Sequence, residues 1–146
     1  GYPNWTNLFL EDHHPEVHDR FEDTYRDIVH KYQEWIGEYG NYFTAHAEYS
    51  YFEGSNIKRY VGGTDDQYKR HADVSSFCAS ERFLSFLFYL NDDFEGGETI
   101  FYPGCVIRPK KGSVLIFPPY WMFPHEGTPV TKGKKYIMST YCCWRD

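Results

Sequence analysis

The sequence predicts a mainly β fold with one N-terminal helix, and three observations carry this prediction. Aromatic residues make up 21% of the 146 residues, and flat side chains pack well across a pleated sheet. One N-terminal segment has apolar residues at helical spacing, whereas later segments alternate with a period of two or are apolar throughout. One helix followed by about seven short strands predicts helices packed on a β-sandwich or barrel, in a single domain over residues 1–146.

The helix is predicted over residues 15–36. Pro15 suits a first helical turn, and Gly37 suits the exit. The apolar and aromatic residues of this segment recur at steps of three or four and therefore share one face: Val17, Phe21, Tyr25, Ile28, Tyr32 and Trp35. This pattern is typical of an amphipathic helix with its apolar side against a core.

The β core is predicted over residues of about 43–144. Residues 43–51 alternate between apolar and polar, which indicates a strand with one buried face. Residues 82–90 are apolar nearly throughout, which indicates a strand buried on both sides. Further strands are predicted at 99–102, 105–108, 113–117 and 135–143, with turns at 62–66 and 109–112.

The charge, the hydropathy and the cysteine content limit the classes of function that the chain could have. The formal net charge is −6 and no run of Lys or Arg occurs, so nucleic-acid binding is disfavoured. No apolar stretch approaches the ~20 residues that span a bilayer, so no membrane segment is expected. The four cysteines form no C-x-x-C pair, so reduced thiols and a cytoplasmic location are expected.

His71-Ala72-Asp73 has the form of a metal-binding motif. Residues i and i+2 of a strand point the same way, so this segment could supply two ligands. Two His and one carboxylate suit Fe(II) and leave three coordination positions open. Composition alone, however, produces about half of one H-x-D match by chance.

Other histidines offer similar patterns. His14-Pro15-Glu16 and His46-Ala47-Glu48 have the same shape, but the first suits a solvated helix start and the second an exposed strand face. His13, His14 and His18 could also form a surface zinc site. Spacing by itself does not select one of these sets.

The C-terminal half resembles the prolyl 4-hydroxylase branch of the Fe(II)- and 2-oxoglutarate-dependent oxygenases. The most specific match is His125, followed by Pro129-Val130 and by Lys135 ten residues after the histidine. Five segments match in the order of the family: 68–73, 82–90, 96–99, 109–117 and 125–136.

This resemblance implies a jelly roll (double-stranded β-helix) with Fe(II) in its open mouth. The iron ligands would be His71, Asp73 and His125, and Lys135 would pair with the far carboxylate of 2-oxoglutarate. A buried dianion needs a fixed cation beside it, because an unpaired buried charge is very costly.

The resemblance implies further roles in the same pocket. Tyr60, Tyr89 and Thr99 would contact the cosubstrate. Tyr68, Arg82 and Tyr141 would lie near the substrate, and Tyr141 stands where relatives have Trp. Ordinary packing within the barrel is the alternative for each of these residues.

The implied reaction is the hydroxylation of an unactivated C–H bond, with O₂ consumed and 2-oxoglutarate converted to succinate and CO₂. The expected substrate is a peptidyl proline in a peptide or protein, and ascorbate could keep the iron reduced. One alternative is the same chemistry on a free amino acid or small molecule. The other is a non-enzymatic jelly-roll module that binds a metal or another ligand.

Overall fold

The computed structural model describes residues 6–37 and 50–145 of the chain. Two helices lie near its N-terminal end, the single turn α1 (Leu10–His13) and the long α2 (Pro15–Gly37). The strands within the described residues are β1 (Thr6–Phe9), β2 (Ser50–Phe52), β3 (Asn56–Val61), β4 (Tyr68–His71), β5 (Arg82–Tyr89), β6 (Glu95–Gly96), β7 (Thr99–Phe101), β8 (Cys105–Ile107), β9 (Val114–Phe117), β10 (His125–Gly127), β11 (Val130–Lys132) and β12 (Lys134–Trp144).

The strands pair antiparallel in two main sheets. The larger sheet has the order β1-β3-β12-β5-β9, and β2 pairs with the C-terminal part of β12. The smaller sheet has the order β4-β10-β7-β8, while β11 and β6 form a separate pair. Residues from both main sheets line one cavity. The two sheets therefore face each other as a sandwich, and the predicted mainly β fold is confirmed.

Helix α2 covers the outer face of the larger sheet. Tyr25 is fully buried and lies 5.0 Å from Phe52 and 5.5 Å from Phe88, measured between ring centroids. Its hydroxyl shares a 2.6 Å hydrogen bond with Ser55, so the buried oxygen is satisfied. The predicted apolar face is confirmed, except that Trp35 is 54% exposed and contacts Tyr32 instead of the core.

Strand β12 is buried on both sides, and its two faces serve different purposes. Met138 and Cys142 point toward α2 and belong to the apolar core beneath it. Alternate residues point the other way and line the cavity: Lys135, Ile137, Ser139 and Tyr141. The period of two thus separates a packing face from a functional face on one strand.

The predicted strands agree with the structure where the sequence pattern was long. The segment predicted as buried on both sides forms β5, and its residues alternate between the core and the cavity. Residues 43–49 of the first predicted strand lie outside the described residues, and 50–52 form β2. The sequence did not reveal β1, β3, β4, β6, β10 or β11, whose residues are too few or too mixed in polarity to show an apolar alternation.

No helix within residues 6–37 and 50–145 is long and apolar enough to cross a membrane. All four cysteines carry free thiols, with Cys142 and Cys143 buried and the other two exposed.

Candidate functional site

The two sequence-predicted histidines face each other across the smaller sheet. Strands β4 and β10 pair so that His71 stands directly opposite His125, with 4.3 Å between the ring centroids. The Nδ1 atom of His71 lies 2.8 Å from the carbonyl of Lys69, and that of His125 lies 3.1 Å from the carbonyl of Phe123. A carbonyl only accepts, so each Nδ1 carries the hydrogen and each Nε2 keeps a lone pair.

Asp73 completes this cluster from a loop. We expected it to share a strand with His71, but β4 ends at His71 and Asp73 follows two residues later. Its Oδ1 nevertheless lies 3.2 Å from Nε2 of His71 and 3.8 Å from Nε2 of His125. The chain turns inward after β4, so the position of Asp73 depends on the turn and not on strand geometry.

The electrostatics of this cluster favour a bound cation. Burial raises the pKa of Asp73, but the close contact with His71 and the neighbouring imidazole of His125 outweigh burial and hold this pKa below its ordinary value. Burial also lowers the pKa of His125, against the attraction of Asp73, so this histidine favours its neutral form. The Asp73 side chain is only 5% exposed, and its Oδ2 atom is buried without a hydrogen bond of good geometry.

Lys135 provides a cation elsewhere in the same cavity. It is 4% exposed, and its Nζ donates a 2.6 Å hydrogen bond to the carbonyl of Gly97. Burial lowers the pKa of Lys135 to about 8, although Glu98 favours the charged form. A Cβ atom on Gly97 would lie 3.1 Å from the Lys135 side chain, so a larger residue at position 97 would crowd the lysine.

The three residues predicted to contact the cosubstrate surround Lys135. The rings of Tyr60 and Tyr89 lie 5.6 and 5.7 Å from its Nζ. Tyr89 shares a 2.8 Å hydrogen bond with Thr99. Tyr60 and Thr99 line the cavity, whereas Tyr89 stands behind Thr99 and outside the lining. All three are buried.

The three residues predicted near the substrate lie around the His–Asp cluster. Tyr68 packs edge-on against His71 at 3.8 Å, and the Tyr141 hydroxyl donates a 3.3 Å hydrogen bond to Asp73. Arg82 does not line the cavity. Its guanidinium lies 3.9 Å from the Tyr141 ring and makes two 2.6 Å hydrogen bonds to Glu53, so it supports Tyr141 from outside.

The cavity encloses about 550 Å³, including the space at its mouth. Sequence reasoning missed several of its lining residues, of which Lys58 is the most consequential. Its Nζ donates a 2.9 Å hydrogen bond to Ser139, and burial lowers its pKa to about 8, with Asp73 opposing. The other missed residues are Ser85, Leu87, Phe117, Gly127, Thr128, Ile137 and Ser139. Strand alternation on β3 could have revealed Lys58, two residues before Tyr60.

The other histidine patterns do not form a comparable cluster. Within the described ranges 6–37 and 50–145, His71, Asp73 and His125 form the one group of three metal-ligand side chains, with ligand atoms within 4.8 Å of one another. His14 and Glu16 are exposed and 3.6 Å apart, and residues 46–48 lie outside the described residues.

Comparison with known proteins identifies the family. A sequence model of the 2OG-Fe(II) oxygenase superfamily matches residues 55–143. The chain belongs to the 2OG-Fe(II) oxygenase superfamily. This match contains both main sheets except β1, β2 and the last residue of β12, and it includes all the predicted site residues.

Curated relatives of this oxygenase domain are hydroxylases or dioxygenases by name. The chain is 34% identical over 122 residues to a probable prolyl 4-hydroxylase 9 of Arabidopsis thaliana, covering 63% of this chain and 41% of the relative. It is 30% identical over 105 residues to a procollagen-lysine,2-oxoglutarate 5-dioxygenase 1 of Mus musculus, covering 70% of this chain and 13% of the relative. The chain thus spans less than half the length of these relatives.

Solved structures confirm the predicted jelly-roll fold of this oxygenase domain. A viral collagen prolyl hydroxylase from Paramecium bursaria Chlorella virus-1, solved with 2OG, has a TM-score of 0.69 and 25% identity, covering 97% of this chain and 79% of that one. A prolyl hydroxylase of Trichoplax adhaerens, solved with a peptide fragment, has a TM-score of 0.73 at 19% identity, covering 97% of this chain and 63% of that one. The second likeness concerns the fold alone.

Membership of this superfamily implies Fe(II), 2-oxoglutarate and O₂, and the residues present fit them. Two imidazole lone pairs and a carboxylate converge with no hydrogen between them, which is a donor set suited to Fe(II). The orphaned Oδ2 of Asp73 gives the carboxylate a further unused acceptor. Lys135 makes its one described hydrogen bond to a carbonyl, so its charge suits an anionic ligand.

Proposed function

We propose that this chain is an Fe(II)- and 2-oxoglutarate-dependent oxygenase that hydroxylates an unactivated C–H bond, with peptidyl proline as its substrate. One observation carries the proposal: His71, Asp73 and His125 converge in a cavity that also holds the buried Lys135. A metal site of two imidazoles and one carboxylate beside a fixed cation suits a metal and a dianionic organic acid together.

Each of these residues has a definite task. The Nε2 atoms of His71 and His125 and the carboxylate of Asp73 would hold the iron, leaving three positions for other ligands. Lys135 would fix the far carboxylate of 2-oxoglutarate. When bound, iron with 2-oxoglutarate and O₂ supplies the oxidising power for C–H hydroxylation, with succinate and CO₂ as by-products.

The surroundings support orientation and the exclusion of water. The carbonyls of Lys69 and Phe123 hold the imidazoles in one tautomer, which fixes the direction of both Nε2 lone pairs. Leu87, Phe117 and Ile137 supply an apolar lining, which strengthens the charge interactions nearby. Tyr60, Tyr89 and Thr99 would shape the cosubstrate end, and Tyr68, Arg82 and Tyr141 the substrate end.

The choice of peptidyl proline follows the relatives. Proteins similar to this chain carry the names prolyl 4-hydroxylase and collagen prolyl hydroxylase, and one similar fold was solved with a peptide. We therefore propose a peptide or protein as the substrate. A requirement for ascorbate and a cytoplasmic location are further proposals, the second resting on the four free thiols.

Two measurements test this function. Adding Fe(II) and then 2-oxoglutarate without oxygen should produce a visible charge-transfer band, which a metal-binding module without cosubstrate binding would not show. With oxygen, proline-containing peptides should stimulate succinate release and gain one oxygen atom by mass. Release stimulated by free proline, and not by peptides, would assign the same chemistry to a free amino acid.

A further inference from the structure

The cavity contains a second cation, the half-buried Lys58, that the proposed reaction does not use. Lys58 lies on β3, where it pairs in register with Ile137 and precedes Tyr60 by two residues. It therefore shares the cavity-facing side of β3 with Tyr60. Its Nζ donates a 2.9 Å hydrogen bond to Ser139 and lies 5.5 Å from the centre of the Tyr68 ring.

These contacts direct Lys58 away from the proposed cosubstrate anchor. The inward-facing residues of β12 run in the order Lys135, Ile137, Ser139 and Tyr141. The backbone of Lys58 stands beside Ile137, but its amine reaches Ser139, one inward position farther from Lys135. The charges of Asp73 and Arg82 both act on it. Lys58 thus lies near the His–Asp cluster, on the side of Tyr68 and Tyr141.

The position of Lys58 gives the cavity one positive charge more than the proposed metal and cosubstrate require. The ionised side chains among the described lining residues are Asp73, Lys58 and Lys135. With Fe(II) and the 2-oxoglutarate dianion bound, the charges of Asp73 and Lys135 bring the sum to zero, and Lys58 adds one positive charge. A buried site with excess charge favours a ligand that brings the opposite charge.

We propose that Lys58 is a specificity-determining residue that binds a carboxylate of the substrate. The proposal rests on the oxygenase function above. The carboxylate would belong either to an acidic side chain next to the hydroxylated residue or to the terminus of a short peptide or free amino acid. Ser139 would hold the amine in place, and the neighbouring Tyr68 and Tyr141 would flank the same group.

The test compares matched acid and amide substrates. One pair of blocked proline peptides carries Glu or Gln beside the proline, and a second pair ends in a free carboxylate or an amide. Free proline and prolinamide form the third pair. The wild-type enzyme should show the lower KM for the acid in at least one pair, and that pair identifies the source of the carboxylate.

Variants at position 58 then connect this preference to the lysine. Lys58→Met should raise the KM of the preferred acid about ten- to hundredfold, because a charged hydrogen bond is lost, and should leave the amide nearly unaffected. Lys58→Arg should retain the preference. Lys110→Met, at an exposed lysine on a turn, is the matched control. If Lys58→Met does not fold, Lys58→Gln, which keeps a donor for Ser139, takes its place.

Equal KM values for acid and amide in the wild type would overturn the role of Lys58, as would a preference that survives Lys58→Met. Both results leave the oxygenase function intact, because succinate release continues. If no member of any pair stimulates succinate release, the proposed substrate class and the role of Lys58 both fail. The anaerobic charge-transfer band then decides separately whether the chain still binds iron and 2-oxoglutarate.

Discussion

The two ends of the cavity are built in opposite ways. The His–Asp cluster stands on the short strands β4 and β10, of four and three residues, and Asp73 lies beyond the end of β4. Lys135 stands on β12, which is 11 residues long and pairs with β3 on one side and β5 on the other. The proposed metal end, on strand termini, thus faces the proposed anion-binding end, on the best-paired strand.

This difference follows from what each end must do. Metal ligands need to converge from separate segments, and loop positions allow that because a turn can aim a side chain as a straight strand cannot. A buried lysine needs a rigid strand instead, since a buried charge is tolerated only where its partners are held in a fixed position. This contrast predicts that substitutions at one end will affect iron binding, whereas substitutions at the other end will affect the affinity for 2-oxoglutarate.

The largest effect is expected at the metal end. His71→Ala or Asp73→Ala removes one of three ligands, so substrate-dependent succinate formation should be abolished, because too few donors remain to hold the iron. Succinate release and iron content measure this loss. His30→Ala and Asp19→Ala, at exposed positions of α2, are matched controls and should retain activity. Normal turnover in either cluster variant would show that the cluster is not the metal site.

The next effect is expected at the anion-binding end. Lys135→Ala should leave the 2-oxoglutarate carboxylate without its cation, at a cost of about 3–5 kcal/mol, or a hundredfold or more in the KM for 2-oxoglutarate. Iron binding without cosubstrate should persist, which separates this variant from those of the cluster. Lys134→Ala, at the exposed neighbour on the same strand, is the control. An unchanged KM in Lys135→Ala would mean that another group anchors the cosubstrate.

The smallest effect is a pH dependence of cosubstrate affinity. Burial lowers the pKa of Lys135 to about 8, so this lysine loses its charge as pH rises through that value. The KM for 2-oxoglutarate should therefore increase above a pH of about 8 and stay nearly flat below it. The negative charge of Glu98 opposes this loss of charge from Lys135. Burial raises the pKa of Tyr60 and of Tyr89, so both tyrosines stay neutral in this pH range.

Lys135→Arg separates this lysine from other titrating groups. Arginine keeps its charge throughout the range, so the variant should lose the rise in KM above a pH of about 8, whatever its absolute affinity. A rise that persists in Lys135→Arg would assign the titration to a different group. The same measurements on Lys134→Arg provide the matched control.

The sequence predicted the parts of this molecule that carry long patterns. Steps of three and four residues identified the buried face of α2, and a continuous apolar run identified β5 as buried on both sides. The spacing between His125 and Lys135 indicated the family, which the comparisons confirm. Trp35 fits the helical period but is mostly exposed, because the period determines the side of a helix and not how far the sheet beneath it extends.

The short strands and the second cation needed the structure. Strands of three or four residues such as β4 and β10 have no measurable period, so their pairing, which brings His71 opposite His125, depends on contacts across the sheet. Lys58 stands beside Arg59 in the sequence, and charged residues usually face solvent. Its place in the cavity follows from the register of β3 against β12.

The amino-acid sequence by itself determined the mainly β fold, the residue types of the proposed metal cluster and the lysine ten positions after its last histidine. Only the tertiary structure decided how these groups meet. Asp73 reaches the two histidines through a turn beyond β4, and Lys58 joins Lys135 in one cavity through strand register. The physical reason is that chemical identity and periodicity are local properties of the chain, whereas convergence depends on which distant segments pair.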